Sequence, residues 1–311
     1  MNEPGVPSLP RRLAVYFRVM FPLPTRVLGA VIAFYSVYLL LARVYQVRFI
    51  AGTDTLFGLA TLFLSTLLWR LLDELKDRDL DSQLFPDRPL VQGLVRYSDI
   101  RLLALVSLLT VVVLNLNRGP ATDVFFAYFA LFVLSWQWWL FPRVVANNVW
   151  LVFLTHQTLV PLLFFYVWGV FAHATGIDAE PWKAAVVSLL YWIPLFAWEI
   201  GRKVRAPEDE TDYMTYTKRW GTRRAPTIAA AAILASGTAM TIFALAERLG
   251  VAFLVFHPLA ALVSVALILR FIAAPAHRTN RVRAAVEVYG ALFSLGNLVL
   301  LLLSAAPWTT A

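Results

Sequence analysis

Apolar residues run almost unbroken over about residues 25–44, 54–75, 100–116, 122–141, 149–172, 182–200, 226–246, 251–273 and 284–306, with charge gathered in the gaps between them. Each run can cross ~30 Å of hydrocarbon as a helix, the third being the shortest. Lipid offers the backbone no water, so only helices or closed barrels span it. The runs lack the two-residue alternation of barrel strands, and the pattern therefore predicts about nine transmembrane helices. Upstream, residues 10–24 place Arg11, Arg12 and Arg18 among Leu, Val, Tyr and Phe, ahead of Pro22 and Pro24. That is the pattern of a short helix lying in the membrane interface. Pro4, Pro7 and Pro10 stand where a cleavable signal would need an apolar core, so none is expected. The chain reads as a basic interfacial segment, 1–24, and one all-α transmembrane domain, 25–311, capped by cytoplasmic loops.

Composition agrees. Of 311 residues, 60% are hydrophobic and 15% charged, far from the balance of a soluble domain. The net charge of +8 falls at helix ends and not on a basic soluble domain, which argues against nucleic acid and for the lipid bilayer as the partner. Zero cysteines exclude disulfides, thiolate metal sites and cysteine nucleophiles. The positive residues collect at the N-terminal end and in the even connections: Arg88 and Arg96 in the second, Arg143 in the fourth, Arg202 to Arg224 in the sixth, Arg278 to Arg283 in the eighth. This bias predicts a cytoplasmic N-terminus and a C-terminus on the opposite side. The longest connections, 76–99 and 201–225, are both charged and both fall on the cytoplasmic side.

The second apolar run ends in an acidic helix face. At about 100° per residue, Arg70, Asp73, Glu74, Asp77 and Asp81 share an arc, while Lys76 and Asp79 point elsewhere. Like charges at i, i+4 spacing repel, and something must offset them. Hard divalent cations suit carboxylate oxygens, and Mg²⁺ commonly joins one or two carboxylates to substrate phosphates. A helix simply leaving the membrane for water would also carry acids.

The spacing Asp73-Glu74-x-x-Asp77-x-x-x-Asp81, followed by Arg88-Pro89-Leu90 and Gly93, resembles the first motif of the UbiA family of intramembrane prenyltransferases. In that motif the leading residues are Asn and Asp, where this chain has Asp73 and Glu74. The resemblance implies that Asp73, Glu74, Asp77 and Asp81 bind Mg²⁺, that the metal holds the diphosphate of a prenyl donor, and that Arg70 and Arg88 assist.

The family's second motif falls at the end of the sixth run, and here the match is partial. Glu199 stands for its first Asp, which the resemblance implies is a further Mg²⁺ ligand, and Thr215 and Gly221 keep the spacing of its closing pair. Arg202 and Lys203 stand where further acids belong. Three readings follow: the cations bind phosphate directly and replace a metal ion, one of Glu208, Asp209, Glu210 or Asp212 folds back as a ligand, or the diphosphate chemistry is altered. Glu199 and Lys203 also have the spacing of an ordinary helical ion pair.

Other polar marks are fewer. Arg143, after Phe141-Pro142, is a further diphosphate candidate or a positive-inside anchor. His156 and Gln157 lie within the fifth run, where His156 is either a general base or a bond to a neighbouring helix. Trp136, Trp138 and Trp139 mark a span end and suit an interfacial belt or a cation-stabilising wall. The expectation is an Mg²⁺-dependent prenyltransferase moving an isoprenyl group from a prenyl diphosphate to an aromatic or lipid acceptor. A terpene cyclase on the same scaffold and a non-enzymatic transporter are the alternatives.

Overall fold

In a computed structural model, which describes residues 7–145, 147–178 and 180–304, the chain is built of helices, with no strand among those residues. In order these are α1 (Leu9–Val19), α2 (Leu23–Val44), α3 (Thr53–Lys76), α4 (Arg78–Leu84), α5 (Tyr97–Leu114), α6 (Pro120–Trp136), α7 (Pro142–Val145), α8 (Val149–Gln157), α9 (Leu159–Thr175), α10 (Pro181–Gly201), α11 (Tyr216–Trp220), α12 (Arg224–Ala246), α13 (Val251–Ala273) and α14 (Val282–Leu303). Among the described residues eight helical segments are long and apolar enough to cross a membrane, and α6 is a shorter apolar helix of 17 residues. The protein is an integral, multi-pass, all-α membrane protein, and each of the nine apolar runs falls on these helices. Pro4, residues 305 and 306 of the last run, and the C-terminus lie outside the described residues.

Two runs depart from a plain helix. The fourth ends at Trp136 and not at 141: Trp138, Trp139 and Leu140 turn through positive φ angles of 53°, 53° and 64°. Pro142 bars its predecessor from helical geometry, and Phe141 is accordingly pushed out of it at φ −124°. The fifth run divides at Thr158 into α8 and α9. Pro161 has no N–H for the Gln157 carbonyl, and its ring crowds that carbonyl, so the hydrogen-bond ladder breaks there.

The chain forms two compact units, one of Met1–Val31 and Thr53–Asn117, the other of Ile32–Gly52 and Arg118–Ala311. In the first, α3 packs on α5. The buried Asn115 at the end of α5 donates to Thr61 of α3 at 2.9 Å, a polar tie inside the apolar contact. The interfacial helix α1 joins this unit through Arg12, which binds Asp99 at the start of α5. In the second unit α12 packs on α10 and α13, α14 on α10 and α13, and α6 on α9. Gly169 makes the last contact possible: a Cβ there would stand 2.8 Å from the Ala121 Cα. Small residues let membrane helices approach this closely.

Candidate functional site

The acidic face lies at the C-terminal end of α3. α3 stops at Lys76, and α4 starts one residue later, but the helical bonds pass through the joint: Asp77 N–H donates to the Asp73 carbonyl and Asp81 N–H to the Asp77 carbonyl, both at 2.8 Å. The four acids therefore keep their stacked order along almost continuous helix. Their surroundings differ. Glu74 and Asp81 are buried, and each is held by an arginine: Glu74 by Arg70 one turn back, and Asp81 by Arg88 from the turn after α4. Asp73 and Asp77 are exposed. Lost hydration, and then the Asp81 charge, hold the Asp77 carboxyl above the usual aspartate range. Lys76, Arg88 and Arg70 pull the other way without cancelling the loss of hydration.

Arg88 also lies over the Phe85 ring, 4.3 Å from its centroid. The turn carrying Arg88-Pro89-Leu90 closes with Gly93 at φ 73°, a left-handed position that favours glycine. The tripeptide and the glycine place one arginine back against Asp81.

Among the described residues no three His, Asp or Glu side chains converge as a ready metal cage. Mg²⁺ needs no such cage, because it keeps waters and takes one or two carboxylates together with substrate oxygens. Asp77 and Asp81, hard oxygen donors one helical turn apart, fit that requirement. Asp73 and Glu74 flank them on the same helix. Glu199 does not offer the same chance.

At the end of α10, Glu199 is held from two sides. Its Oε2 accepts from Arg202 Nε at 2.7 Å, and its Oε1 lies 2.9 Å from Lys203 Nζ. Tyr216 OH donates to the same Oε1 at 3.4 Å. Burial, and then the Glu199 charge, push the Tyr216 hydroxyl well above its usual range, so it remains a donor. The helical ion pair that Glu199 and Lys203 suggest is present, with a second cation added. The cluster carries one more positive than negative charge. Arg202 lies over the Trp198 ring and Lys203 over Tyr216, at 4.8 and 5.3 Å.

Glu208, Asp209 and Glu210 of the 201–225 connection bind elsewhere and not at Glu199, and Asp212 is exposed. The His277 backbone N–H donates to Glu208 at 2.5 Å and holds its carboxyl below the usual range. Asp209 meets the His277 ring at 2.8 Å. Glu210 accepts from Thr215 Oγ1 at 2.8 Å and also from Thr217. Thr215 and Gly221 have a structural meaning as well. Thr215 caps α11 by accepting from Lys218 N–H at 3.1 Å, and Gly221 ends the helix at φ 97°. The five residues between them present Tyr216 and Trp220 as a stack, ring centroids 4.6 Å apart, and Trp220 stacks in turn on Trp150 at 5.2 Å. Tyr216 was not singled out by the sequence; its place just inside the Thr215–Gly221 spacing is the signal that would have found it.

Arg143 is exposed on α7, and its carbonyl accepts from Asn147 at 2.7 Å. Nδ1 of His156 lies 2.9 Å from the Val152 carbonyl of its own helix, and its ring meets Trp138. Gln157 makes the bond across helices, accepting from Trp192 of α10 at 3.2 Å.

No family model and no curated protein matches the chain. Its fold is similar to a solved structure described as a digeranylgeranylglyceryl phosphate synthase in membranes, with a TM-score of 0.60 over 93% of this chain and 98% of that one, at 12% identity.

Proposed function

We propose that this protein is a membrane prenyltransferase that moves an isoprenyl group from a prenyl diphosphate to an acceptor. The observation that carries the reading is the division of the α3 acids. Glu74 and Asp81 are buried and balanced by Arg70 and Arg88, while Asp73 and Asp77 stay exposed beside them on the same face. The all-helical fold, similar over 93% of this chain to a digeranylgeranylglyceryl phosphate synthase, supports it.

In this reading Asp77 and Asp81 hold Mg²⁺, with Asp73 and Glu74 next to them, and the ion supplies charge stabilisation for a leaving diphosphate. The chain's own groups do the rest. Arg88 and Arg70 hold Asp81 and Glu74 fixed in direction. In the second unit, Arg202 and Lys203 outweigh Glu199 and are assigned to an anionic oxygen of substrate; Arg143 is assigned there as an exposed cation. Glu199 is proposed to aim these cations, and any metal role for it would require displacing them. The donor's C–O bond breaks with its electron pair leaving on diphosphate, and the acceptor forms the new bond and loses a proton. His156 is the general-base candidate for that proton. The basic bias of the N-terminal and even connections supports a cytoplasmic acidic end.

The test is diphosphate release by the purified protein with a series of prenyl diphosphates and Mg²⁺, with and without an acceptor extract, against Asp77→Ala/Asp81→Ala. Release that needs the extract and vanishes in the variant is expected. A cyclic hydrocarbon formed without acceptor would replace the transferase by a terpene cyclase. Absence of donor binding and turnover would bring a transport or binding role forward.

A further inference from the structure

The second unit buries a line of polar side chains that the site above does not use. On α14, Tyr289, Phe293 and Asn297 follow one another at one-turn intervals, and all three are buried. Asn297 accepts through Oδ1 at 3.0 Å from the His257 ring of α13. Both residues are fully buried, yet Asn297 Nδ2 and His257 Nδ1 find no hydrogen-bond partner among the described residues. The Tyr191 hydroxyl of α10 lies near Ser36 of α2 and Asn297, and is buried with no hydrogen-bond partner among the described residues. One turn group further along α14, Tyr289 OH faces Ser236 of α12, and again neither hydroxyl is partnered among the described residues. The Phe293 ring separates the two groups, with its centroid 5.3 Å from Tyr191, 5.1 Å from His257 and 6.3 Å from Tyr289.

These positions lie inside the span. His257 stands six residues from the start of α13 and Asn297 six from the end of α14, about 9 Å of helix in each case. Hydrocarbon supplies no hydrogen bonds, so an unmet donor or acceptor at this depth is costly. Five such groups on four helices would not persist dry. Buried polar groups left without a bond beside one another are the usual setting of a bridging water, which needs two to four polar partners.

We infer that the second unit holds two internal water sites on α14, one bounded by Tyr191, Ser36, His257 and Asn297, the other by Tyr289 and Ser236. The water at the first site accepts from Asn297 Nδ2 and joins Tyr191 to it. The water at the second bridges the two hydroxyls. Together they tie α2, α10, α12 and α13 to one face of α14 and set its rotation.

Radiolytic hydroxyl-radical footprinting of the full-length protein in detergent tests this, because bound water generates the radical in place. Phe293 borders both sites, and Phe171, equally buried, is packed between Tyr38 and Tyr45. Phe293 is expected to be modified several times faster than Phe171, and a double variant Asn297→Leu/Tyr289→Phe is expected to bring it down to the Phe171 rate. Equal rates at Phe293 and Phe171 in the unmodified protein would overturn the inference. So would an unchanged Phe293 rate in a double variant with wild-type Tm.

Discussion

Arg12 grips Asp99 with two parallel bonds, Nε to Oδ2 and Nη2 to Oδ1, each 2.7 Å. The Asp99 carboxylate also accepts from the Arg96 backbone N–H at 3.0 Å and so closes the first turn of α5. One carboxylate thereby caps a membrane helix and anchors the interfacial helix α1. Asp99→Asn should lower the unfolding midpoint by several degrees, and Arg12→Met should lower it less, since the cap survives. The double variant should lose less than the sum of the two, because the pair is one interaction. Thermal unfolding of the four proteins in detergent reads this directly.

Asp77 allows a signed prediction about pH and metal. Its carboxyl lies above the ordinary aspartate value of 3.8, so the folded state holds a proton that the unfolded state has released. With chelator present, Asp77 therefore costs stability as pH rises from that value through its own raised one, and the cost is complete at neutral pH. Asp77→Asn should raise the neutral-pH Tm in chelator. Mg²⁺ should raise the Tm of the wild type and leave this variant unmoved. A scan with and without Mg²⁺ at acid and neutral pH checks both parts.

Lys203→Met should weaken the apparent affinity for the diphosphate substrate by about tenfold, or about 1.4 kcal/mol. Glu199→Gln should have a smaller effect on KM, because it frees the two cations instead of removing one. Steady-state kinetics of the two variants ranks them, and the reverse order would return Glu199 to a ligand role.

Glu210 gathers Thr215 and Thr217, and Thr217 in turn accepts from the Arg205 N–H at 3.2 Å. Glu210→Ala should open the 201–225 connection to trypsin at Arg205, Lys218 and Arg219. The rate of limited proteolysis is the measurement, with catalytic loss following if this segment covers the chemistry.

Gly169→Ala pushes a methyl group onto backbone atoms of Pro120 and Ala121, which have no rotamer to yield. It should cost about 1–3 kcal/mol. Gly29→Ala, with nothing within 4 Å, should be neutral or slightly stabilising. Parallel denaturation of the two variants isolates the helix contact from the general effect of removing a glycine.

The span pattern was legible because hydrocarbon imposes a length and a polarity on every helix. Local charge pairs were legible too: Glu199 and Lys203, or Arg70 and Glu74, are neighbours by helical periodicity alone. What escaped was long-range. Arg12 and Asp99 are 87 positions apart, and nothing in either neighbourhood names the other. The split of the α3 acids into buried and exposed pairs also escaped, since Asp81 is turned inward by Arg88 reaching back from the following turn. Pro161 did announce the break at Thr158, but the continuous apolar run around it concealed the signal.

The segment from Thr215 to Gly221 is fixed at both ends, by a cap that starts α11 and a glycine that stops it. Its length is therefore a gauge. Adding or deleting one residue inside it would swing Trp220 by about 100°, away from both Tyr216 and Trp150. Descendants of this chain are free to exchange residues along that stretch, but an insertion or deletion there would disconnect the aromatic column that ends beside Glu199.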